Sequence, residues 1–242
     1  MDLKNFTKHL IYQSANTQIP DNFSRFQILH PEYSAHESVV KTYPLPENEH
    51  LFSLLWDIHD GHMLSATILP SQPSFLYEKE FTPGMRTQMH SHEYLELFYI
   101  IDGEYRQKIL GNEFTFHRGE VCLIDKNCLH QDYLTDQSGV VLFIGIANDM
   151  FTEIMNENST PQKILSFLQS ALLKQKDVQQ FLHFRPSDGA SESLDDSLLL
   201  LLKESYSPDS GSRYITKGLL FRIFRILSTQ YDFSLSKEQK QT

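Results

Sequence analysis

Apolar and polar positions change their period along this chain, and the changes divide it into three stretches. In the first, Leu3, Phe6, Leu10 and Ile11 recur at helical spacing, and Asp2 stands where an N-cap belongs. Pro20, Pro31, Pro44, Pro46 and Pro70 then cut the chain into short pieces. Leu51, Leu54 and Leu55 share one face of a helix expected over Glu47 to Ile58, and Asp60-Gly61 reads as a turn. From about Leu76 to Ala147 the pattern becomes one of short runs rich in Val, Ile, Tyr and Phe, at intervals of about 8–12 residues. Pro83-Gly84, Asp102-Gly103, Gly111-Asn112, Arg118-Gly119, Lys126-Asn127 and Ser138-Gly139 mark the turns between them. That rhythm predicts an antiparallel sandwich or barrel.

Beyond Asn148 the helical period returns. Pro161 opens one expected helix, through Ile164, Leu165, Phe167 and Leu168, and a second passes through Val178 and Phe181. A polar loop at Pro186–Ser193 precedes a helix spanning Asp195 to Tyr206. A loop at Ser207–Ser212 leads to the last helix, Arg213 to Tyr231, with Ile215, Leu219, Ile223, Leu227 and Tyr231 at i, i+4 spacing. The expected division is an arm of short helices and a strand over 1–74, the barrel over 75–147, a helical coupling and dimerisation region over 148–234, and a linker or frayed tail over 235–242. Leu198, Leu202, Ile215, Leu219, Ile223 and Leu227 are the candidate dimer contacts, with packing onto the chain's own barrel as the competing use of these faces.

Composition narrows the function. With 242 residues, 40% apolar and 12% aromatic, the chain can bury a substantial core. A net charge of -10 disfavours direct binding to nucleic-acid backbones. The basic set Arg213, Lys217, Arg222 and Arg225 reads as the solvated face of a helix. No apolar run is long enough for a membrane span. The two cysteines, Cys122 and Cys128, suggest no disulfide framework, and a cytoplasmic setting is expected. Cys128 is placed near the barrel rim, as a small buried thiol or, alternatively, a soft-metal or redox-sensitive group.

The chemistry lies in the β-region. Strand residues two apart face the same way, so His90, His92 and Glu96 share parity and one strand can aim all three inward; His130 opens a later strand that can meet them. Three imidazoles and a carboxylate suit a divalent transition metal, Zn, Fe, Mn or Ni. A metal-free ligand pocket and a structural polar cluster are the alternatives. Parity adds Tyr94, Phe98, Tyr105 and Gln107 to the candidate ligand contacts, although on spacing alone the three aromatic rings read as core residues before ligand contacts.

The spacing Gly84, His90, His92, Glu96, Gly103 resembles the first signature of the cupin superfamily. Gly119, Asp125, Asn127 and His130 resemble the second in part, since Asp125 and Asn127 replace its usual Pro and Gly, and Leu134 replaces an Asn. The resemblance implies an α+β fold in which a cupin barrel is flanked by N-terminal helices and a C-terminal helical subdomain. The stretch MHSHEYLELFYIIDGEYRQKILGNEFTFHRGEVCLIDKNCLHQDYL further resembles the sensor domain of AraC-type transcriptional regulators. That resemblance implies a non-enzymatic, effector-binding, homodimeric sensor, with DNA contacted only through a helix-turn-helix domain that this sequence does not include. "SKEQKQT" then reads as the start of a linker. A metal-dependent cupin enzyme, a dioxygenase or isomerase, is the competing expectation.

Overall fold

A computed structural model describes residues 1–19, 40–46, 49–155, 178–187 and 189–239. The helix expected from Pro161 lies outside them. Among the described residues, thirteen strands join into one curled sheet, with path β1-β6-β10-β7-β11-β2-β3-β4 and the remaining strands branching from it. The strands are β1 (Lys41–Tyr43), β2 (Leu51–His59), β3 (Met63–Leu69), β4 (Tyr77–Glu80), β5 (Met85–Arg86), β6 (His90–His92), β7 (Leu95–Ile109), β8 (Asn112–His117), β9 (Val121–Ile124), β10 (His130–Leu134), β11 (Gly139–Ile146), β12 (Val178–Pro186) and β13 (Tyr231–Gln239). The helices are α1 (Leu3–Tyr12), α2 (Asn148–Met155), α3 (Ala190–Tyr206) and α4 (Ser212–Gln230).

The long strand β7 organises the curl. Its first half pairs with β9 and β11, and its second with β8 and β10. Between the halves sits Asp102-Gly103, expected as a turn but found inside the strand. The register against β11 slips there, and Gly103 takes φ +69°. A Cβ at Gly103 would stand 2.0 Å from the Ser138 carbonyl oxygen. Only glycine allows this bend, which lets one strand serve two faces. The Asp60-Gly61 turn does form, with both residues at positive φ, and closes the β2–β3 hairpin.

Most of the sheet is buried on both sides. Phe52, Leu54, Trp56 and Ile58 of β2 point into the interior of the curl, with Phe98, Tyr105, Phe116 and Phe143. Leu51 and Leu55 point the other way, into a second core shared with α1, α2, α3 and α4. The helix expected over Glu47 to Ile58 is therefore strand β2. Both faces are buried: Phe52, Leu54, Trp56 and Ile58 alternate on one, while on the other Leu51 and Leu55 interrupt the polar positions Ser53 and Asp57, so the alternation is blurred and the leucines match i, i+3, i+4 by coincidence.

Two further expectations fail for related reasons. The residues Val178 and Phe181 belong to strand β12, not a helix: Phe181 faces one core while Leu182 and Phe184 face the other. Of the expected tail or linker, residues 240–242 lie outside the described residues, and residues 235–239 belong to strand β13, paired with β12 from Tyr231↔Pro186 to Gln239↔Val178. Its polar residues read as a tail because it is an edge strand with much of its surface in solvent. The sheet thus takes strands β1–β3 from before residue 75 and β12–β13 from beyond 147.

Helix α1 starts as expected, with the Asp2 carboxylate accepting from the Asn5 N–H at 2.8 Å. It lies on the outer face, where Lys8 pairs with buried Asp57 at 3.1 Å. Helix α3 begins at Ala190, inside the expected polar loop, and α4 ends at Gln230, one residue before the extended Tyr231. Of the candidate dimer contacts, Leu198, Leu202, Ile223 and Leu227 are buried within this chain's own core. Leu219 is half-buried against the same core, and Ile215 is exposed. No helix among the described residues is long and apolar enough to cross a membrane.

Candidate functional site

His90 and His92 come from the three-residue strand β6, Glu96 from β7 and His130 from β10. Two strands, not one, therefore deliver the first three side chains. The pairing His130↔His90 brings the third imidazole to them. Ring centroids lie 4.1 Å apart for His90–His130, 4.8 Å for His92–His130 and 5.1 Å for His90–His92. Glu96 approaches His92 Nδ1 at 3.6 Å and His130 Nε2 at 3.7 Å. All four residues are buried, with at most 4% exposure.

The tautomers are set locally. His90 Nδ1 donates to the Gln88 carbonyl at 2.7 Å, and His130 Nδ1 to the Cys128 carbonyl at 3.0 Å. A carbonyl can only accept, so each neutral ring carries its proton on Nδ1 and leaves Nε2 as a lone pair. Burial drives all three imidazoles toward the neutral form, and their mutual repulsion adds to this for His92 and His130. Burial also raises the Glu96 carboxyl well above its usual range, helped by the Asp132 charge.

Asp132 was not singled out from the sequence, yet it anchors the site. Burial alone would raise its carboxyl. The nearby His90 and His130, with hydrogen bonds from Tyr105 and Gln107, outweigh burial and hold it low. Its Oδ1 accepts from the Tyr105 hydroxyl and from Gln107 Nε2 at 2.9 Å, and its Oδ2 from the Thr87 hydroxyl at 2.9 Å. His90 Nε2 lies 4.0 Å from Oδ2. The signal was available, because Asp132 is two residues beyond His130 on the same strand face. Tyr43, edge-on to His90 at 5.2 Å, was also missed. It reaches the site through the parallel pairing of β1 with β6, which no local pattern announces.

The other sequence candidates take different places. Tyr105 and Gln107 hold Asp132. Tyr94 stacks on His92, with ring centroids 4.4 Å apart and planes 8° from parallel. Phe98 packs against Tyr105, Phe116 and Phe143, so the interior beside the site is filled with aromatic rings. Cys128 is buried rather than at the rim, and its carbonyl serves His130.

The donor set fits a divalent transition metal. His92 Nε2, His130 Nε2, Glu96 Oε1 and the Tyr94 hydroxyl are buried without a hydrogen-bond partner, a costly arrangement for four polar atoms in one interior. The three imidazoles offer ligand atoms all within 4.8 Å of one another. Ligand atoms about 2.1 Å from a shared ion sit roughly 3.0–3.4 Å apart. The 3.7 Å between His130 Nε2 and Glu96 Oε1 is near that spacing and too long for a good hydrogen bond. Glu96 meets His92 at Nδ1, and the imidazole atoms would have to draw together around an ion.

With the curled sheet and its inward histidines in place, the α+β cupin fold expected from the sequence is the fold found. The family described as Cupin domain matches residues 77–144. No curated protein sequence matches the chain significantly. Among solved structures, the chain is similar to unsaturated-fatty-acid-bound wild-type ToxT from Vibrio cholerae strain SCE256, at 16% identity and TM-score 0.40, covering 75% of this chain and 54% of that one. An apo ToxT variant from the same strain gives 13% identity and TM-score 0.43, covering 72% and 54%. The polyketide cyclase RemF from Streptomyces resistomycificus gives 16% identity and TM-score 0.26, covering 35% and 54%. The chain thus spans about half the length of the ToxT chains it matches.

Proposed function

We propose that this chain is the effector-sensing part of an AraC-type transcriptional regulator, reading a small molecule through a metal held by His90, His92, Glu96 and His130. The carrying observation is the group of buried, partnerless Nε2 and Oε1 atoms at one point inside the curl. Fixed Nδ1–H tautomers on His90 and His130 ready the other ring nitrogen for a cation. A bound ion supplies a Lewis-acidic anchor for an oxygen or nitrogen of the effector. Tyr43 and Tyr94 frame that point, and Asp132 fixes the neighbourhood of His90. The signal's exit is β9, which pairs with Glu96 on one side and with β12, the strand leading into the helices, on the other. A homodimer contact at the exposed Ile215 end of α4, a cytoplasmic setting and DNA binding through a further domain belong to the same proposal.

The test is metal and ligand binding by the purified chain. Zn(II), Mn(II), Ni(II) and anaerobic Fe(II) are titrated with and without competing chelator, followed by a metabolite screen read by thermal shift. Tight one-to-one binding that disappears in His92→Ala, with the fold retained, supports the proposal. A His92→Ala protein that binds as well as the unaltered one removes it. Light scattering of Ile215→Glu tests the dimer contact, and an unchanged mass excludes that end of α4.

One observation favours an enzyme as the second reading. Glu96 is held toward its protonated form and Asp132 toward its ionised form in the same interior, the split that acid–base chemistry uses. Turnover of a small metabolite by the metal-loaded chain, lost in Glu96→Gln, would favour the enzyme over the sensor.

A further inference from the structure

We propose a second ligand site, separate from the histidines: a small organic ammonium ion held by Glu49 in the cleft where sheet and helices meet. The cleft has a volume of about 140 Å³. Its walls come from the start of β2, the residue after β3, α2, the end of α3 and the start of α4, so one ligand there touches both layers of the molecule. An enclosed cavity of roughly 150 Å³ accommodates a benzene-sized molecule, so a ligand of about six heavy atoms suits the inner part of this open cleft.

The charges choose the sign of the ligand. The basic side chains at the rim already have carboxylates: His50 Nδ1 lies 2.7 Å from Asp149, and Arg213 lies 2.5 Å from Glu153 and 3.5 Å from Asp149. Glu204 is occupied as well, accepting from the Ser212 hydroxyl at 2.5 Å. Among the described residues, Glu49 is the carboxylate of the cleft with no hydrogen-bonding or ion-pairing side-chain partner, and the Thr216 hydroxyl in the same lining has none either. Burial without compensation pushes the Glu49 carboxyl up to about 7, so a cation beside it would be stabilising.

The remaining lining chooses the body of the ligand. Leu51, Pro70, Met150 and Pro208 are apolar. The Ser205 and Ser212 hydroxyls are spent on the Leu201 carbonyl and on Glu204, so among the described lining residues one hydroxyl, that of Thr216, is left for a polyol, too few to recognise one. An ammonium head on a short alkyl chain satisfies both halves: the head meets Glu49 and the chain covers Met150 and Leu51.

Calorimetric titration of the intact chain with n-butylammonium, n-butanol and n-butyrate tests this. Saturable binding of butylammonium alone is expected, weakened at least tenfold in Glu49→Gln and unchanged in His92→Ala. The unchanged affinity in His92→Ala keeps this site's fate apart from that of the metal site. Absence of saturable binding, equal binding by Glu49→Gln, or preference for butyrate overturns the proposal. Should Glu49→Gln lose its fold, the Met150 methyl resonance of the unaltered chain decides. It shifts with butylammonium and not with butyrate if the site is real, and a resonance unmoved by butylammonium overturns the proposal.

Discussion

Gly145 offers the sharpest test of how the metal-ready histidines are held. It pairs with Glu96 on one side and with Phe52 on the other, in the middle of the sheet. A Cβ there would stand 1.9 Å from Phe52 Cε1, 2.5 Å from Cζ and 2.7 Å from Cδ1. Ordinary carbon contacts lie at about 3.5–4.0 Å, so Gly145→Ala must push the Phe52 ring by roughly 1.5–2 Å. The ring has nowhere to go. It is 1% exposed and meets Tyr94 edge-on at 5.0 Å, and Tyr94 in turn stacks on His92. Overpacking of this kind costs about 1–3 kcal/mol, and a wedged, fully buried ring places Gly145→Ala near ~3 kcal/mol. For a chain of this size that corresponds to a fall in Tm of roughly 6–12 °C. The displacement also travels to His92, so metal affinity falls with stability. Denaturant unfolding and chelator competition measure the two effects. Adding Phe52→Leu to Gly145→Ala should return part of both, with a coupling of about 1 kcal/mol or more in the double-mutant cycle. A Gly145→Ala protein with unaltered stability and metal affinity, or a cycle with no coupling, refutes the chain of contacts from Gly145 to His92.

Other outcomes follow from the same geometry. A divalent metal at one hundred times its Kd should stabilise the chain by about 2.7 kcal/mol, raising Tm by roughly 5–11 °C, reversed by chelator and absent in His92→Ala. Tyr105→Phe removes a donor to the charged Asp132 and should cost about 1.5–3 kcal/mol in denaturant unfolding; a smaller loss would mean Asp132 finds another donor. Burial raises the Asp125 carboxyl from 3.8 to about 6. The folded state therefore holds that proton more tightly than the unfolded one, and stability falls as pH rises through this window and stays lower above it. Asp125→Asn should remove that slope and gain at most ~3 kcal/mol at neutral pH, as read from unfolding curves across the window. A slope that survives the substitution assigns it to another group.

The site was more legible in the sequence than the sheet that carries it. His90, His92, Glu96 and His130 could be found because strand parity and glycine spacing are local signals, and the structure brings the four together. Asp132 obeyed the same parity but was passed over among its neighbours Gln131 and Tyr133. Strand β2 was misread for a physical reason: it is buried on both faces, so Leu51 and Leu55 on the second face blur the alternation that Ser53 and Asp57 would otherwise mark. Strand β13 was misread for the opposite reason, since a polar edge strand looks like a tail until its partner is known. That partner, β12, lies about fifty residues upstream and was itself read as a helix. Pairing at such separation has no signature in either segment alone. The leucines of α3 and α4 were legible as apolar faces, but periodicity cannot say whether a face meets a partner or the chain's own sheet, and here Leu198, Leu202, Ile223 and Leu227 meet the sheet's core.

The clasp of β13 on β12 has a consequence for how the molecule comes apart. Helices α3 and α4 are strung between two strands that hold each other, and β12 is itself laced to β9. The hairpin of helices is therefore no appended lobe that frays by itself. Its amides should exchange with solvent at the pace of the central strands, as one cooperative block. A shortened version ending near Phe233, where the helical pattern gives out, would strip β12 of its outer neighbour and loosen the base on which both helices stand.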